Sequence, residues 1–436
     1  MRMSNQVAGK EDAKSALMPK LRFPEFLDAP EWENKPIGGE GDLLSGYPFD
    51  GSDISQDSTG ARLLRGINIT EGYVRHNSDI DRYFLKSADE LQKFTVQSND
   101  LVIAMDGSKV GKNSALITAE DSGAILVQRV ARLRSNNAVT ISFIFQRINS
   151  PTFHAYVDRI NTSSGIPHIS AKQIREFTIG FPSETEQQKI AECLTMLDEV
   201  IAAQSQKLDA LKTHKKGLMQ QLFPREGETL PRLRFPEFRG APEWVEKNLE
   251  AVCAIQRGKF SHRPRNDPRF FGGRYPFIQT GDVVKSNGGS VQASQTLNEQ
   301  GLSVSKLFKP PIVLITIAAN IGDTGLLDRE ACFTDSVAGL IPKRGVSAVF
   351  LELAVRGKKA YLNKIAPAAA QKNINNEILS VLPISIPEFE EQQRIASCLT
   401  SLDDLITAQN TKLESLKTHK QALMQQLFPS PDTVEA

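Results

Sequence analysis

One segment of this chain occurs twice. Residues 186–224 and 391–429 align at a constant offset of 205, and 27 of their 39 aligned positions are identical. Two unrelated amphipathic helices do not reach this identity by composition, so the chain contains an internal duplication. This duplication constrains the fold strongly, because neither copy can bury its own apolar stripe.

Each copy carries apolar residues at steps that alternate between four and three, the spacing of a coiled-coil seam. Gln204 and Lys215 interrupt the first seam, and Gln409 and Lys420 interrupt the second in the same register. Polar groups at seam positions usually fix alignment and partner number at some cost in stability. Neither segment contains proline before its last residue, so about 35 residues can form one helix of roughly 50 Å. The seam residues are Ile190, Leu194, Leu197, Ile201, Leu208, Leu211, Leu218 and Leu222 in the first copy and Ile395, Leu399, Leu402, Ile406, Leu413, Leu416, Leu423 and Leu427 in the second.

A stripe of this kind fits either a helix in a packed core or a helix that pairs with another helix. Two long copies at identical register favour pairing between the copies. If both copies have similar surroundings, an approximate two-fold axis relates the halves of the chain and the helices run antiparallel. We therefore predict an antiparallel coiled coil and a pseudo-two-fold internal repeat.

A second, shorter repeat opens each half. Residues 19–32 and 231–244 match at 11 of 14 positions with an offset of 212. Their prolines prevent a regular helix, while phenylalanine and tryptophan side chains supply apolar anchors, so we interpret them as docking straps. Between strap and helix, residues 33–168 and 245–373 share the order of short β-rich runs but little sequence; we call them the variable blocks.

These features predict an α+β fold with two mixed globular domains joined by the long helices. The constant segments frame the variable ones, which suggests one supporting task performed twice and two different recognition tasks. Such a frame suits a non-palindromic target. The predicted boundaries are a disordered leader at 1–18, domains at 19–185 and 225–390, helices at 186–224 and 391–429, and a tail at 430–436.

Length and composition fit this organisation. A chain of 436 residues accommodates two or three domains, and 40% hydrophobic with 24% charged residues is ordinary for a soluble protein. The chain has no run of 18 apolar residues and its first residues lack the apolar centre of a signal peptide, so we expect a cytoplasmic protein. The formal net charge is +1, so any attraction to nucleic acid must come from local patches.

Several signals for small-molecule or metal sites fail on inspection. GSKVGK at 107–112 has three residues between its glycines, whereas a phosphate loop has four. Asn113 also stands where a phosphate loop has the magnesium-binding Ser or Thr. The acids of 50–57 lack the spacing of a calcium loop. His214 and His419 repeat on the helix flanks, and the four cysteines lack ligand spacing, so we predict structural thiols and no metal.

The two straps with LRFPEF and EW, the two helices with EQQxIAxCLTxLD and KLxxLKTHKxxLMQQLFP, and the unlike blocks between them resemble the specificity subunit (HsdS) of type I restriction-modification systems. The likeness extends from about Pro19 to Pro429. The resemblance implies that each variable block is a target recognition domain for one half of an asymmetric, bipartite double-stranded DNA site. It implies that the coiled coil sets the distance between the half-sites.

The same resemblance implies that this chain performs no catalysis and holds no cofactor. Two modification subunits would bind S-adenosylmethionine and methylate adenine, and two restriction subunits would use ATP with magnesium. The chain itself has neither a G-x-G-x-x-G fingerprint nor an Asn-Pro-Pro-Tyr/Phe segment, so an autonomous enzyme is disfavoured. A protein-assembly scaffold with two protein-binding domains remains the alternative.

Basic and amide residues in the variable blocks are the candidates for DNA contact. The densest basic stretch is 257–274, which could be a solvated loop; its interleaved phenylalanines and flanking glycines favour a DNA-facing one. Arg and Lys suit guanine and Gln and Asn suit adenine, but the sequence does not assign bases. The candidates are Arg62, Arg65, Lys109, Lys112, Ser163, Ser164, His168 and Lys172 in or beside the first block, and Arg257, Lys259, Arg263, Arg265, Arg269, Arg274, Gln279, Gln371, Lys372 and Asn373 in or beside the second.

Overall fold

The computed structural model describes residues 17–161, 167–318, 320–366 and 373–429. Residues 1–16 of the predicted leader and the predicted tail at 430–436 lie outside the described residues. The chain forms two compact units: unit 1 contains the residues up to Ser205 and those from Thr411 onward, and unit 2 is Gln206–Asn410. Each unit therefore takes part of each repeated helix.

The variable blocks and their flanks form short strands and helices. The strands of the first half are β1 (Glu33–Pro36), β2 (Asp42–Ser45), β3 (Ala61–Leu64), β4 (Glu71–Gly72), β5 (Arg82–Phe84), β6 (Leu101–Ala104), β7 (Ser114–Leu116), β8 (Ile125–Leu126), β9 (Val130–Arg134) and β10 (Thr178–Phe181). Its helices are α1 (Ala138–Ile148), α2 (Pro151–Ile160), α3 (Ala171–Glu176) and the long α4 (Glu184–Leu222).

The second half repeats this plan with different lengths. Its strands are β11 (Val245–Asn248), β12 (Cys253–Arg257), β13 (Phe271–Ile278), β14 (Gln295–Leu297), β15 (Leu307–Phe308), β16 (Ile312–Thr316), β17 (Thr324–Leu327), β18 (Ala331–Phe333), β19 (Val337–Pro342) and β20 (Pro383–Ile386). Its helices are α5 (Leu249–Val252), α6 (Thr280–Ser286), α7 (Glu299–Ser303), α8 (Ala348–Gly357), α9 (Lys359–Ile365), α10 (Asn376–Ser380) and the long α11 (Phe389–Leu427).

Each unit is built from two larger sheets and one two-stranded ladder. In unit 1 the strand orders are β2-β9-β6-β7-β4 and β5-β3-β8, and β1 pairs with β10. In unit 2 they are β12-β19-β16-β17 and β14-β13-β18-β15, and β11 pairs with β20. The central strands β6 and β16 are buried along their whole length, so their apolar runs follow from packing on both faces.

The repeated segments form two unbroken helices of 39 residues, α4 and α11. Both end two residues before a proline, which disfavours helical backbone at the preceding residue. All sixteen predicted seam residues are buried or half-buried, as a paired helix requires.

In each unit the beginning of one long helix packs against the end of the other. In unit 1 the early α4 residues Ile190 and Leu194 share a core cluster with Met424 and Leu427 of late α11. In unit 2 the late α4 residues Leu218 and Leu222 cluster with Ile395 and Leu399 of early α11. Early residues of one helix against late residues of the other is an antiparallel pairing, so the predicted fold class is confirmed.

Lysines that interrupt the seam are neutralised inside it. Lys420 Nζ lies 2.6 Å from Asp198 in unit 1, and Lys215 pairs with Asp403 in unit 2. The offset of 205 maps one pair onto the other, and the lysine side chains are only 13% and 12% exposed. A displaced register would bury each ammonium without its carboxylate, so these pairs favour one alignment.

The docking straps are fastened to the helices by the same contacts in both units. Arg22 makes a bidentate pair with Glu186 at 2.6 and 2.7 Å, and its counterpart Arg234 pairs with Glu391 at 2.7 and 2.8 Å. Trp32 packs edge-on against Phe428 in unit 1, as Trp244 packs against Phe223 in unit 2. The same contacts between strap and helix therefore occur in both units. They occur although the straps repeat at an offset of 212 and the helices at an offset of 205.

No helix within the described ranges is both long and apolar enough to cross a membrane.

Candidate nucleic-acid interface

The candidate residues of unit 1 that meet in space lie around one cavity of about 710 Å³. Arg65 follows β3 and Arg129 follows β8, and these strands are parallel neighbours, so their carboxyl ends share one edge. Lys109 and Arg75 line the same cavity from neighbouring loops. Four cations therefore converge on one concave surface.

The cations of this cavity have different neighbours. Lys109 Nζ lies 2.8 Å from Glu71, and both side chains are exposed, so the pair contributes little stability. Arg129 Nη1 lies 3.4 Å from Nδ1 of His168, which brings a third candidate beside the cavity. Arg129 also has a φ of 74°, a left-handed conformation that costs a non-glycine residue roughly 1 kcal/mol or more. Backbone strain of this kind is frequent at binding sites.

Other candidates of the first block lie apart from this cavity lining. Lys112 Nζ lies 3.5 Å from Asp158, and Lys172 on α3 lies 3.7 Å from Glu176. Arg62 is half-buried within β3, opposite Tyr83. Ser163 and Ser164 lie outside the described residues.

The basic stretch of unit 2 is exposed, and nearby acids offset part of its charge. Arg263 and Arg265 both pair with Asp335, at 3.1 and 2.7 Å. Arg269 pairs with Asp267, and its hydrogen bonds lower the pKa of that carboxyl to about 2. Such exposed pairs are worth about 0 to 1 kcal/mol, so a phosphate can replace the acid at small cost.

The remaining cations of this stretch lie on its two flanks. Arg274 reaches Glu299 at 3.0 Å and the hydroxyl of Tyr275 at 2.8 Å. The guanidinium of Arg257 donates to the backbone carbonyl of Asp335, and Lys259 is exposed.

The phenylalanines among these cations face inward. Phe260 is 2% exposed, and its ring centroid lies 5.2 Å from that of Phe277 in a small core cluster. Phe270 and Phe271 pack against the same cluster. They anchor the basic loop through this cluster, and Phe270 and Phe271 stay half-buried at its edge.

A second cavity of about 530 Å³ lies beside this loop. Arg265 and Gln279 are the predicted candidates on its wall, together with Gln295, Thr334 and Ser336. Asn373 is exposed and pairs with Ala318, at the place where His168 pairs with Asp106 in unit 1. Gln371 and Lys372 lie outside the described residues.

Several residues of these surfaces were not singled out by the sequence. They are Arg75 and Arg129 on the cavity of unit 1, Arg82 on the neighbouring strand β5, and Gln295 and Asp335 in unit 2. Arg129 lies in the short turn between β8 and β9, and Asp335 lies in the short turn between β18 and β19. Side chains in such loops at strand ends are frequent binding residues. That position is the one signal that could have identified them.

Within the described ranges, no group of three or more His, Cys, Asp or Glu residues could hold a metal ion. The four cysteines are free thiols, and burial raises the pKa of Cys253 to about 12. A thiol so protonated is a weak nucleophile, in keeping with a packing role.

Comparison with known proteins places this fold in one family. The family profile described as "Type I restriction modification DNA specificity domain" matches residues 64–213 and 242–418. The type I restriction enzyme MjaVIII specificity subunit of Methanocaldococcus jannaschii is 24% identical over 77% of this chain and 80% of its own length. The putative MjaX specificity subunit of the same organism is 26% identical over 62% of this chain, a match that spans 61% of that relative.

Solved structures agree on the fold. The crystal structure of the type I restriction-modification S subunit from M. genitalium superimposes with a TM-score of 0.62 at 16% identity, over 95% of this chain and all of that one. The residues that the family profile matches include most of both variable blocks and most of both repeated helices. This chain belongs to the family of DNA specificity subunits of type I restriction-modification systems.

Proposed function

We propose that each unit reads one half of an asymmetric, bipartite DNA site, and that the chain thereby directs the enzyme subunits of its complex to that site. One observation carries the proposal: the same frame surrounds two differently lined cavities. Arg22–Glu186 and Arg234–Glu391 are equivalent, whereas the cavity of unit 1 carries four cations and two acids in its lining and that of unit 2 carries one arginine with amides, hydroxyls and phenylalanines.

The long helices act as the spacer between the half-sites. A helix of 39 residues is roughly 58 Å long, compared with about 34 to 36 Å for one turn of B-DNA. The seam pairs of Lys420 with Asp198 and Lys215 with Asp403 fix the register of this spacer. Insertion of a heptad at the same place in both helices lengthens the gap between half-sites.

The outward faces of the helices dock the partner subunits. Met196 and Val200 lie one turn apart on α4 and are 60% and 48% exposed, and Leu405 on α11 is 49% exposed. Apolar side chains away from the seam suit helices supplied by another protein. We assign two modification subunits to these faces and two restriction subunits to the complete complex.

In this scheme the chain performs recognition without catalysis. S-adenosylmethionine binds to the modification subunits, and ATP with magnesium binds to the restriction subunits. Exposed cations around each cavity hold phosphates, and polar side chains within the cavities contact base edges.

Selection from random duplexes tests the proposal. The chain is assembled with its modification subunit, mixed with a duplex library, and the bound DNA is sequenced. We expect two different half-motifs at a fixed gap. A single palindromic motif would contradict two unlike readers, and retention of DNA without any motif would contradict specific recognition.

A further inference from the structure

The two cavities occupy the same topological place in the two units. In unit 1, β3 lies between the parallel strand β8 and the antiparallel strand β5; in unit 2, β13 lies between the parallel β18 and the antiparallel β14. The registers also correspond, because Leu63 faces Arg82 and Phe277 faces Gln295. Arg82 and Gln295 are therefore structural counterparts.

A close backbone approach supports the same alignment. A Cβ atom on Gly46 would meet the carbonyl oxygen of Val127 at 2.2 Å, and one on Gly258 would meet that of Thr334 at 2.2 Å. Gly46 directly follows β2 and Gly258 directly follows β12, and each approaches the residue that directly follows β8 or β18, the parallel partner strand. The residues that follow β3 and β13, Arg65 and Gln279, are then counterparts as well.

In unit 1 a buried amide ties the two arginine positions together. The backbone N–H of Arg65 donates to Oδ1 of Asn68 at 3.2 Å, and Nδ2 of Asn68 donates to Asp81 at 3.0 Å. Asp81 directly precedes Arg82, and Asn68 is fully buried. The backbone beneath both arginines is held by this bridge.

In unit 2 a buried carboxylate makes the same bridge. Oδ2 of Asp282 accepts the backbone N–H of Gln279 at 3.0 Å and the hydroxyl of Ser294 at 3.1 Å. Ser294 directly precedes Gln295, and Asp282 is 5% exposed. Different residues therefore build the same support under a different pair of side chains.

The side chains on these supports have different hydrogen-bonding chemistry. Nε2 of Gln279 donates to Oε1 of Gln295 at 2.5 Å, which leaves the amide N–H groups of Gln295 and Oε1 of Gln279 for a ligand. In unit 1 the guanidinium of Arg82 donates to two backbone carbonyls, and burial together with the charge of Arg82 lowers the pKa of Arg65. An acceptor-rich ligand would offset the repulsion between these two cations.

We infer that these paired positions determine base specificity: Arg65 and Arg82 select guanine, and Gln279 and Gln295 select adenine. Guanine presents two acceptors, O6 and N7, in the major groove, whereas adenine presents one acceptor, N7, and one donor, the N6 amino group. Guanidinium groups supply donors alone, and an amide pair supplies a donor and an acceptor. The inference rests on the proposed function and names the residues that carry it.

Exchange of the pairs tests the assignment. The chain is assembled with its modification subunit and used to select bound duplexes from a random library, as wild type and as Gln279→Arg with Gln295→Arg. We expect one adenine of the second half-motif to become guanine while the first half-motif is unchanged. Arg65→Gln with Arg82→Gln should replace a guanine of the first half-motif by adenine. Each exchanged base should change affinity about 10- to 100-fold between the two duplexes.

Matched controls separate this inference from the proposed function. Lys93→Gln with Arg159→Gln removes the same charge from the same unit at exposed positions that neither line the cavity nor belong to the DNA-contact candidates, and should leave both motifs intact. Two wild-type half-motifs that stay unchanged in both exchanged variants would overturn the base assignment and leave bipartite recognition standing. Absence of any wild-type motif would instead overturn bipartite recognition itself.

A milder variant covers the case in which an exchanged pair does not fold. Gln295 is exposed, so Gln295→Ala should fold, and thermal unfolding of the variant checks this. We expect its preference for adenine at one position of the second half-motif to fall about tenfold or more. An unchanged preference would overturn the assignment for unit 2.

Discussion

Glu352 on α8 is a carboxyl group whose surroundings disfavour its charge. Its side chain is buried, and burial raises its pKa above the ordinary glutamate value, although Arg356 lies 3.2 Å away and Thr324 donates to it at 2.6 Å. The folded chain holds the proton of Glu352 to a higher pH than the unfolded chain does. The protonated carboxyl group therefore contributes its full stabilisation below the ordinary glutamate pKa. That contribution is lost as the pH rises from the ordinary value through the raised one.

We predict that Glu352→Gln flattens this pH dependence, because a neutral amide keeps the hydrogen bond to Thr324 and has no proton to lose. The measurement is the free energy of unfolding in urea at a series of pH values from 4 to 8, a range set by the ordinary glutamate pKa of about 4.3. Glu246→Gln, at an exposed position, is the control and should keep the wild-type slope. An identical pH profile for wild type and Glu352→Gln would contradict the role of burial.

Exposed cations near the cavities should determine the salt dependence of DNA binding. Lys109 lines the cavity of unit 1, and Lys259 is exposed beside the cavity of unit 2. We predict that each Lys→Ala change reduces the slope of log affinity against log salt by about 0.9 and leaves the selected motif unchanged. Lys207→Ala, exposed on α4, is the control. A slope that both cavity variants leave unaltered would remove these lysines from the phosphate contacts.

At the scale of elements, the helices could be predicted from the sequence and the cavities could not. The alternation of steps four and three places the seam on one face, so Leu194 and Leu399 could be identified as buried without any tertiary information. The cavity of unit 1 combines residues after β3 and β8, which are far apart in sequence. Only strand pairing brings Arg65 and Arg129 together, and single-sequence patterns do not encode which short strands pair.

The inward packing of Phe260 was likewise hidden, since an aromatic residue between cations fits both a base-stacking loop and a loop core. The acid that holds Arg263 and Arg265, Asp335, lies far along the chain from the basic stretch. The composition of residues 257–274 alone therefore overstates how many of their positive charges are unpaired.

Burial of charge in the coiled-coil seam tests the pairing of α4 with α11. Leu208 and Leu413 are 4% and 5% exposed, and Leu208→Asp with Leu413→Asp buries two unpaired carboxylates. We predict a loss of several kcal/mol of stability and loss of the fixed gap between half-motifs. Lys207→Asp with Lys412→Asp introduces the same residue at adjacent, exposed positions and should cost less than about 1 kcal/mol. Urea unfolding measures both variants, and equal stability would contradict the paired seam.

At the scale of the whole molecule, the chain is one frame used twice. The ladders β1–β10 and β11–β20, the two strap arginines and the two seam lysines recur at matching positions, while the cavity linings differ. A repeated frame implies that a variable block can be moved from one unit to the other, because the contacts that hold it are the same in both places.

The most direct measurement replaces residues 33–168 by residues 245–373, so that both units carry the same variable block. The variant is assembled with its modification subunit, and bound duplexes are selected from a random library and sequenced. We predict that the asymmetric site becomes two copies of the second half-motif in inverted orientation, with the gap unchanged. A folded variant that still selects the original asymmetric site would contradict the claim that each block reads its own half.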